Sequence, residues 1–264
     1  MAMAAPPDTA LAPRADLSRF IQRVRVLWRG PLAGDYLRVP DGTVELVVRV
    51  TPTACDVHAL GPREQVVRKA PSEVPPDTLG IQFKPGGAYP FFGLPMSELA
   101  HRTLSIDTLW GKADGARLRA SLAQAPTSHA RLRTLEAALV ERLHRDDVFE
   151  PAAAYLVRRG IRLLTDATDI PRVADLARTL GVSERHLRRA FDDVLGMGPK
   201  SYARLVRFQR ALQASSVQGQ GQGARPDWGA IAAGAGYYDQ AHLIADFRAV
   251  LGTTPGAWTR ARAA

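Results

Sequence analysis

Three arginines that lie close together in the chain, Arg185, Arg188 and Arg189, have the chemistry and the spacing of a DNA-reading surface. A guanidinium group can donate two parallel hydrogen bonds to guanine in the major groove, and it also pairs well with phosphate. At positions i, i+3 and i+4 the three side chains would share one face of a helix. The pattern also fits the solvated basic face of an ordinary surface helix, so the surrounding elements must decide between the two interpretations.

The arginines fall on the second of two predicted helices that are separated by a sharp turn. The first helix would end at Gly181, because glycine adopts a positive φ at little cost, and Ser183 can cap the helix that follows. Apolar residues recur at helical spacing in both segments, at Val173, Leu176, Ala177 and Leu180 and then at Leu187, Phe191 and Val194. The arginines therefore lie on the outer face of an amphipathic helix.

The same pattern occurs a second time further along the chain. Seven positions recur: Ala177, Gly181, Leu187, Phe191, Gly196, Pro199 and Tyr202 correspond to Ala232, Gly236, Leu243, Phe247, Gly252, Pro255 and Trp258. The first two pairs are 55 residues apart and the other five are 56 apart, so the second copy contains one additional residue between Gly236 and Leu243. A spacing kept over seven positions indicates a duplicated structural unit.

Each copy has the spacing of a helix-turn-helix. An alanine four residues before the turn glycine lets two helices pack closely, and the second helix is then free to enter the major groove. The sequence predicts such units at about 171–196 and 227–252, joined by a long helix from about Pro199 to Ser215 that carries Arg204, Arg207 and Arg210. A helix of that length spans about 25 Å and could hold the units about one DNA turn (~34 Å) apart.

The stretch from Val173 to Trp258 resembles the DNA-binding domain of the AraC/XylS transcriptional regulators. The matching segments are LARTLGVSERHLRRAF, GMGPKSYARLVRFQRA and IAAGAGYYDQAHLIADFRAVLGTTPGAW. In that family two recognition helices enter successive major-groove segments on one face of the DNA. The resemblance implies a sequence-specific regulator of transcription, an activator or a dual regulator, whose partner is double-stranded operator or promoter DNA. It leaves RNA polymerase and a second copy of the chain open as further partners.

The resemblance also indicates which side chains should contact DNA. In the first unit these are Arg185, Arg188 and Arg189, with Ser183 and His186 near the start of the helix as weaker candidates. In the second unit the candidates are Gln240, His242 and Arg248. Ala245 occupies the position that Arg189 has in the first unit, and Asp239 is better suited to cap the helix. We therefore expect the first unit to provide most of the base readout and the second to set the register through backbone contacts.

The charge distribution agrees with a polyanion binder. The formal net charge is +9. Residues 151–264 contain 16 Lys+Arg and 9 Asp+Glu, whereas residues 1–150 contain 19 and 17, so most of the excess positive charge lies with the repeat.

The first half of the chain has a β-rich pattern. Strand-like segments at 24–28, 44–50, 66–67 and 79–83 are separated by turn signals, and amphipathic helices follow at 118–122, 132–145 and 155–164. We expect a disordered tail at 1–15, a sensory and dimerisation domain at 16–150, and the DNA-binding domain at 151–264. The predicted fold is α+β and multidomain, with a small β-barrel or sandwich followed by helices, and then an all-α domain of two helix-turn-helix units joined by a long helix.

The amino-terminal half more weakly resembles the cupin-like domain of a subset of these regulators, through VPDGTVELVVRV, GIQFKPGGAYPFFGLPMSEL and LWG. The resemblance implies an effector, which the sequence does not identify. A pocket for it could be lined by Trp28, Phe83, Tyr89, Phe91 and Phe92, although a plain hydrophobic core explains the same residues. No metal site or cofactor is expected, because His58, His101, His129 and His144 are scattered without ligand spacing.

Two other functions remain as alternatives. One is an architectural DNA binder that no ligand controls. The other is a DNA-modifying enzyme that uses the single cysteine, Cys55, although no base, phosphate loop or catalytic motif accompanies it. We expect no catalytic residues. No apolar run approaches the ~20 residues that cross a membrane, and the first residues do not resemble a secretion signal, so a cytoplasmic, nucleoid-associated bacterial protein is expected.

Overall fold

The computed structural model describes residues 9–27, 36–69, 77–144, 152–218 and 226–263. Among these residues, six strands form one antiparallel sheet and two more form a separate pair. The strands are β1 (Thr9–Leu11), β2 (Ile21–Leu27), β3 (Tyr36–Arg38), β4 (Glu45–Val50), β5 (Cys55–Leu60), β6 (Val67–Lys69), β7 (Asp77–Phe83) and β8 (Thr103–Ser105). The large sheet has the order β1-β2-β7-β4-β5-β8, and β3 pairs with β6.

The sheet packs its apolar face against helices that follow it in the chain. Val48 is paired with Leu79 and Leu46 with Ile81, and all four side chains are buried. The helices of this half are α1 (Tyr89–Phe92), α2 (Ile106–Trp110), α3 (Lys112–Gln124) and α4 (Ser128–Leu143), with short 3-10 turns at Ala15–Leu17 and Met96–Glu98. Thr127 caps α4 by accepting from the backbone N–H of Ala130, and the predicted leucine stripe of this helix is buried in the same core.

The α+β class predicted from the sequence is confirmed. Among the described residues the large sheet is open, with β1 and β8 at its edges, so it is not the closed small barrel that the sequence allowed. The disordered tail expected at 1–15 is too long. Thr9–Leu11 pairs with Val24–Val26 of β2, because Leu11 packs on the core and the edge of β2 supplies the hydrogen bonds; residues 1–8 lie outside the described part.

The carboxy-terminal half is helical throughout its described residues. Its helices are α5 (Ala152–Asp166), α6 (Val173–Leu180), α7 (Glu184–Leu195), α8 (Pro199–Gln218), α9 (Trp228–Gly234), α10 (Gln240–Leu251) and α11 (Pro255–Ala263). The α6–α7 and α9–α10 pairs are the two units that the repeat predicts, and each has its own hydrophobic core. The boundary expected at residues 150 and 151 falls outside the described residues.

Helix α8 belongs to both units. The ring of Tyr202, near its start, lies 6.4 Å from that of Phe191 in α7, and the ring of Phe208, further along, lies 5.0 Å from that of Phe247 in α10. Phe191 and Phe247 are equivalent positions of the repeat. Because α8 contributes to both cores through one continuous helix, it sets the relative position of the two second helices.

Candidate nucleic-acid interface

The duplicated unit is visible in the backbone hydrogen bonds of its turns. The N–H of Val182 donates to the carbonyl of Ala177 at 3.1 Å, and the N–H of Tyr237 donates to that of Ala232 at 2.9 Å. The turn glycines, Gly181 and Gly236, have φ values of 72° and 84°, a left-handed conformation that glycine adopts without strain. Both turns therefore end the first helix of the unit in the same way.

The hydrogen bonds also locate the residue that distinguishes the second copy. The N–H of Leu187 donates to the carbonyl of Ser183, and the N–H of Leu243 donates to that of Asp239, so these pairs are offset by 56 residues. The turn hydrogen bonds of Val182 and Tyr237, just before them in the chain, are offset by 55 residues. The extra residue is thus Tyr238, whose side chain is 93% exposed directly before the cap of α10. The sequence placed an insertion between Gly236 and Leu243 but did not single out this side chain.

Helix α7 presents the predicted basic face. Ser183 accepts from the N–H of His186 at 3.2 Å and so caps the helix. The inward positions are buried, whereas the predicted DNA-contacting residues are all exposed: Ser183, Arg185, His186, Arg188 and Arg189. The helix thus separates an apolar inner face from a basic outer face, as its sequence period requires.

Two of the three arginines make weak ion pairs on the helix surface. Arg188 lies 2.5 Å from Glu184, and Arg189 lies 3.8 Å from Asp193, with the arginine side chains 63% and 85% exposed. Exposed pairs of this kind contribute about 0–1 kcal/mol, so a phosphate or a base edge can replace the carboxylate at small cost. Arg185 makes no ion pair with any part of the chain that the structure describes.

Helix α10 is less basic. Asp239 accepts from the N–H of His242 at 2.7 Å, so this carboxylate is occupied as a cap, as its position predicts. Gln240, His242, Ala245 and Arg248 are exposed, and the His242 ring contacts that of Tyr237 edge-on at 5.2 Å. Ala245 is also exposed but has only a methyl side chain, whereas α7 carries the long side chain of Arg189 at the equivalent position.

The arginines of α8 contact other parts of the carboxy-terminal half. The sequence pattern did not predict these contacts. Arg204 lies 2.8 Å from the buried carboxylate of Asp246, and the guanidinium of Arg207 lies 5.8 Å from the centre of the Tyr237 ring. Arg210 donates to the carbonyls of Ala167 and Thr168 just beyond α5, where the helix dipole favours a cation. These three charges hold the helices together.

Burial changes the acid–base properties of two tyrosines in these cores. Burial, with a smaller effect of the Asp41 carboxylate, raises the pKa of the Tyr202 hydroxyl far above its ordinary value. Burial and Asp246 raise the pKa of Tyr237 in the same way. Both hydroxyls are therefore neutral throughout the physiological range.

The aromatic residues expected to line an effector pocket lie in the amino-terminal core. The ring of Phe83 contacts those of Phe91 and Phe92 at 5.2 Å and 5.7 Å, and all three side chains are buried. Tyr89 is partly buried against the same core, and Trp28 lies outside the described residues. None of the four described residues lines the large cleft of the molecule, which runs between the two halves.

Cys55 does not have the surroundings of a nucleophile. Burial and the neighbouring Asp56 raise the pKa of its thiol, whereas a reactive cysteine needs its thiolate stabilised. In the described part of the chain, no three histidine, cysteine or acidic side chains cluster in a way that could hold a metal ion. No helix there has the length and apolar character needed to span a bilayer.

Two similar helix-turn-helix units, each presenting a second helix to solvent and both anchored on one long helix, define a DNA-binding protein of the double helix-turn-helix class. Residues 176–261 match a helix-turn-helix domain family, and residues 9–105 match a family described as a domain of unknown function, DUF6597. The matched helix-turn-helix domain is of the AraC type. Such a domain implies a regulator of transcription.

Solved structures that the chain matches include ToxT from Vibrio cholerae. ToxT of strain O395 is 10% identical, with 90% of this chain and 92% of that chain covered and a TM-score of 0.40. ToxT of strain SCE256 with a bound unsaturated fatty acid is 9% identical, with 91% of each chain covered and a TM-score of 0.40. No curated protein matches the chain in sequence.

Proposed function

We propose that the chain is a sequence-specific regulator of transcription, an activator or a dual regulator, that binds double-stranded DNA through α7 and α10. The exposed arginine face of α7 carries this proposal, because it lies on the second helix of a unit whose geometry is duplicated in the same chain. A duplicated unit that only stabilised the fold would have no need of two solvent-facing second helices.

The two helices have different tasks in this proposal. Arg185, Arg188 and Arg189 read bases, since a guanidinium makes the commonest specific contact to guanine, with Ser183 and His186 at the edge of the site. Gln240 and His242 contact a base or the backbone, and Arg248 contacts a phosphate. The exposed Ala245 supports a smaller share of base readout for α10, because a methyl group offers no hydrogen bond.

Tyr238 adds a contact that is absent from the first unit. Its phenol stands 93% exposed directly before Asp239, the cap of α10. Tyrosine hydroxyls are among the side-chain groups that donate to DNA phosphates. We assign this hydroxyl to a backbone phosphate that fixes the register of the second unit.

The effector and the assembly complete the proposal. The amino-terminal half binds an effector and contributes to a homodimer, and RNA polymerase is a further partner at the promoter. Because we propose that the protein binds chromosomal DNA, we expect it in the bacterial cytoplasm, associated with the nucleoid. A reporter gene under the selected operator gives the sign of regulation, and light scattering of the purified protein gives its oligomeric state.

The test is selection of bound duplexes from a random library, followed by affinity measurements at fixed salt. We expect an enriched motif and a ratio of specific to non-specific affinity of about 10³ or more. Arg188→Ala should weaken binding to the selected site. Arg117→Ala is a matched control, because Arg117 is also 63% exposed and also pairs with a carboxylate on its own helix. A protein that binds all duplexes equally well would instead be an architectural binder.

A further inference from the structure

A small cavity of about 10 Å³ lies in the amino-terminal half, beside the paired strands β3 and β6. Two arginines line it: Arg38, the last residue of β3, and Arg63, which follows β5. A cavity needs roughly this volume to hold one water-sized particle, so there is room for a single occupant of about that size. The remaining lining residues are Pro40, Asp41, Thr43, Gln65 and Val67.

Each arginine has one buried nitrogen atom that finds no hydrogen-bond partner in the described part of the chain, Nη1 of Arg38 and Nε of Arg63. Their other hydrogen bonds are long. Nη2 of Arg38 donates to the carbonyl of Thr43 at 3.3 Å, and Nη2 of Arg63 donates to the hydroxyl of Thr103 at 3.4 Å. A buried donor on a charged group is costly to leave unpaired, so an acceptor in the cavity stabilises the fold.

One carboxylate serves two of the nearby arginines. The Glu45 side chain lies 3.0 Å from Nη2 of Arg25 and 3.6 Å from Nε of Arg38, and all three side chains are largely buried. Because a single carboxylate carries one negative charge, Glu45 neutralises only one of the two guanidinium groups.

The carboxylate that lines the cavity, Asp41, is occupied by neutral donors. It accepts from the N–H and the hydroxyl of Thr43 at 3.0 Å and 2.6 Å, and also from the side-chain amide of Gln82. It makes no ion pair with Arg38 or Arg63 within the described residues. The lining residues and their ion-pair partners thus contain three guanidinium groups and two carboxylates, which leaves one positive charge without a counterion.

The two lining arginines also repel each other. Burial, with a smaller effect of the Arg38 charge, lowers the pKa of the Arg63 guanidinium. A water molecule in the cavity would accept hydrogen bonds from both side chains but leave the repulsion and the excess charge in place. An anion accepts the same hydrogen bonds and removes both.

We infer that the cavity binds one monatomic anion, chloride under physiological conditions, between the guanidinium groups of Arg38 and Arg63. Carboxylates, sulfate and phosphate are larger than the space available. The site lies within the amino-terminal half and involves no DNA, so it goes beyond the proposed function and is independent of it.

The anion has a consequence for the contact between the two halves. Val39 and Val66 pack against the core of the second helix-turn-helix unit, and each stands in the chain between two residues that line the cavity. The N–H of Val66 also donates to the carbonyl of Val250. Because the anion joins the two segments that carry these valines, its binding stabilises the end of α10 as well.

The test is urea unfolding of the full chain, without DNA, in sodium chloride or in sodium gluconate. The two salts screen charge equally at equal concentration, but gluconate is too large for the cavity. With the ion at about ten times its Kd, the midpoint in chloride minus that in gluconate should be about 0.5 M urea larger for the wild type than for Arg63→Gln. Bromide should act like chloride.

Arg119→Gln is the matched control, because Arg119 is also partly exposed but pairs with Asp107 away from the cavity. It should keep the wild-type difference between the two salts, and it reports any general effect of gluconate on folding. Hydrogen exchange at the end of α10 should be slower in chloride than in gluconate for both proteins. An equal salt difference in the wild type and Arg63→Gln overturns the inference, and equal exchange in the two salts overturns its consequence for α10.

A crystal of the wild-type protein grown in sodium bromide gives a check that needs no variant. An anomalous peak should lie between the guanidinium groups of Arg38 and Arg63. Anomalous peaks confined to the protein surface would show an adventitious ion only, and a feature without anomalous signal in the cavity would show a water molecule; either result overturns the inference. If Arg63→Gln does not fold, this measurement decides alone.

Discussion

The backbone N–H of Val66 donates to the carbonyl oxygen of Val250 at 2.8 Å, which joins the amino-terminal half to the last turn of α10. The same half reaches the linker helix, where Gln209 donates to the carbonyl of Pro40 at 2.5 Å. It also reaches the end of α7, where Gly196 lies against the backbone of Met96. The amino-terminal half thus contacts both units and the helix between them.

Because the Val66 N–H donates to Val250, we predict that removal of this N–H destabilises the end of α10. Val66→Pro removes the donor, whereas Val66→Ala keeps it and trims the same side chain. We expect Val66→Pro to lower the free energy of unfolding by about 1 kcal/mol more than Val66→Ala, and to speed hydrogen exchange at the end of α10. Urea unfolding and exchange mass spectrometry measure both effects. Equal behaviour of the two variants would mean that this bond does not hold the halves together.

The Arg204–Asp246 pair predicts a large stability effect from a residue that looks like a surface arginine in the sequence. The Asp246 side chain is 10% exposed and Arg204 is 29% exposed. Arg204→Met leaves the carboxylate buried without its partner, so we expect a loss of about 3 kcal/mol in unfolding free energy. Arg178→Met breaks a solvent-exposed pair with Asp175 and should cost less than about 1 kcal/mol. Similar losses in both variants would contradict a structural role for Arg204.

The base readout that we propose for α7 predicts a loss that is confined to one position of the operator. Arg189→Ala should cost about 1–3 kcal/mol at a single base pair and relax the preference there, because the bidentate contact to that base disappears. Affinities for operators mutated at each position measure it, with Arg117→Ala as the control. If the loss is the same on every sequence, Arg189 contacts a phosphate instead.

The buried tyrosines predict a dependence of stability on alkaline pH. Folding raises the pKa of Tyr202, so the folded state keeps a proton that the unfolded chain releases near pH 10. The contribution of this proton to the unfolding free energy is fully present below about pH 10 and is lost as the pH rises further. Tyr202→Phe removes the titrating hydroxyl, so the slope of the unfolding free energy against pH should become less steep by about 1 kcal/mol per pH unit. Tyr155→Phe, at an exposed position, should leave the slope unchanged. Urea unfolding between about pH 9 and pH 11 measures the slopes; identical slopes would refute the assignment.

The sequence predicted those parts of the fold that depend on local period and on repetition. The Gly181 and Gly236 turns, the capping Ser183 and the exposed face of α7 all follow from spacing within one short segment. The orientation of Arg204 could not be derived in this way, since a helical period does not tell which neighbour lies against a face. Its partner, Asp246, is 42 residues away, and only tertiary packing brings the two together.

The cavity between Arg38 and Arg63 was not predictable for the same reason. The two residues belong to separate segments of the amino-terminal half, and only the pairing of β3 with β6 brings those segments together. The sequence allowed the aromatic residues of the amino-terminal half to line a pocket or to form a plain hydrophobic core. In the structure Phe83, Phe91 and Phe92 fill a continuous core.

Tyr238 predicts a contribution to DNA binding that is separable from both charge and stability. Its side chain is 93% exposed, so Tyr238→Ala should leave the unfolding free energy unchanged and weaken operator binding by about 1 kcal/mol. Tyr238→Phe should cause most of the same loss, because the hydroxyl is the group assigned to the phosphate. The dependence of affinity on salt should not change, since a neutral donor releases no counterion, whereas Arg248→Ala should reduce that slope by about one. Wild-type affinity in Tyr238→Phe would show that the inserted residue makes no hydrogen bond to the backbone of DNA.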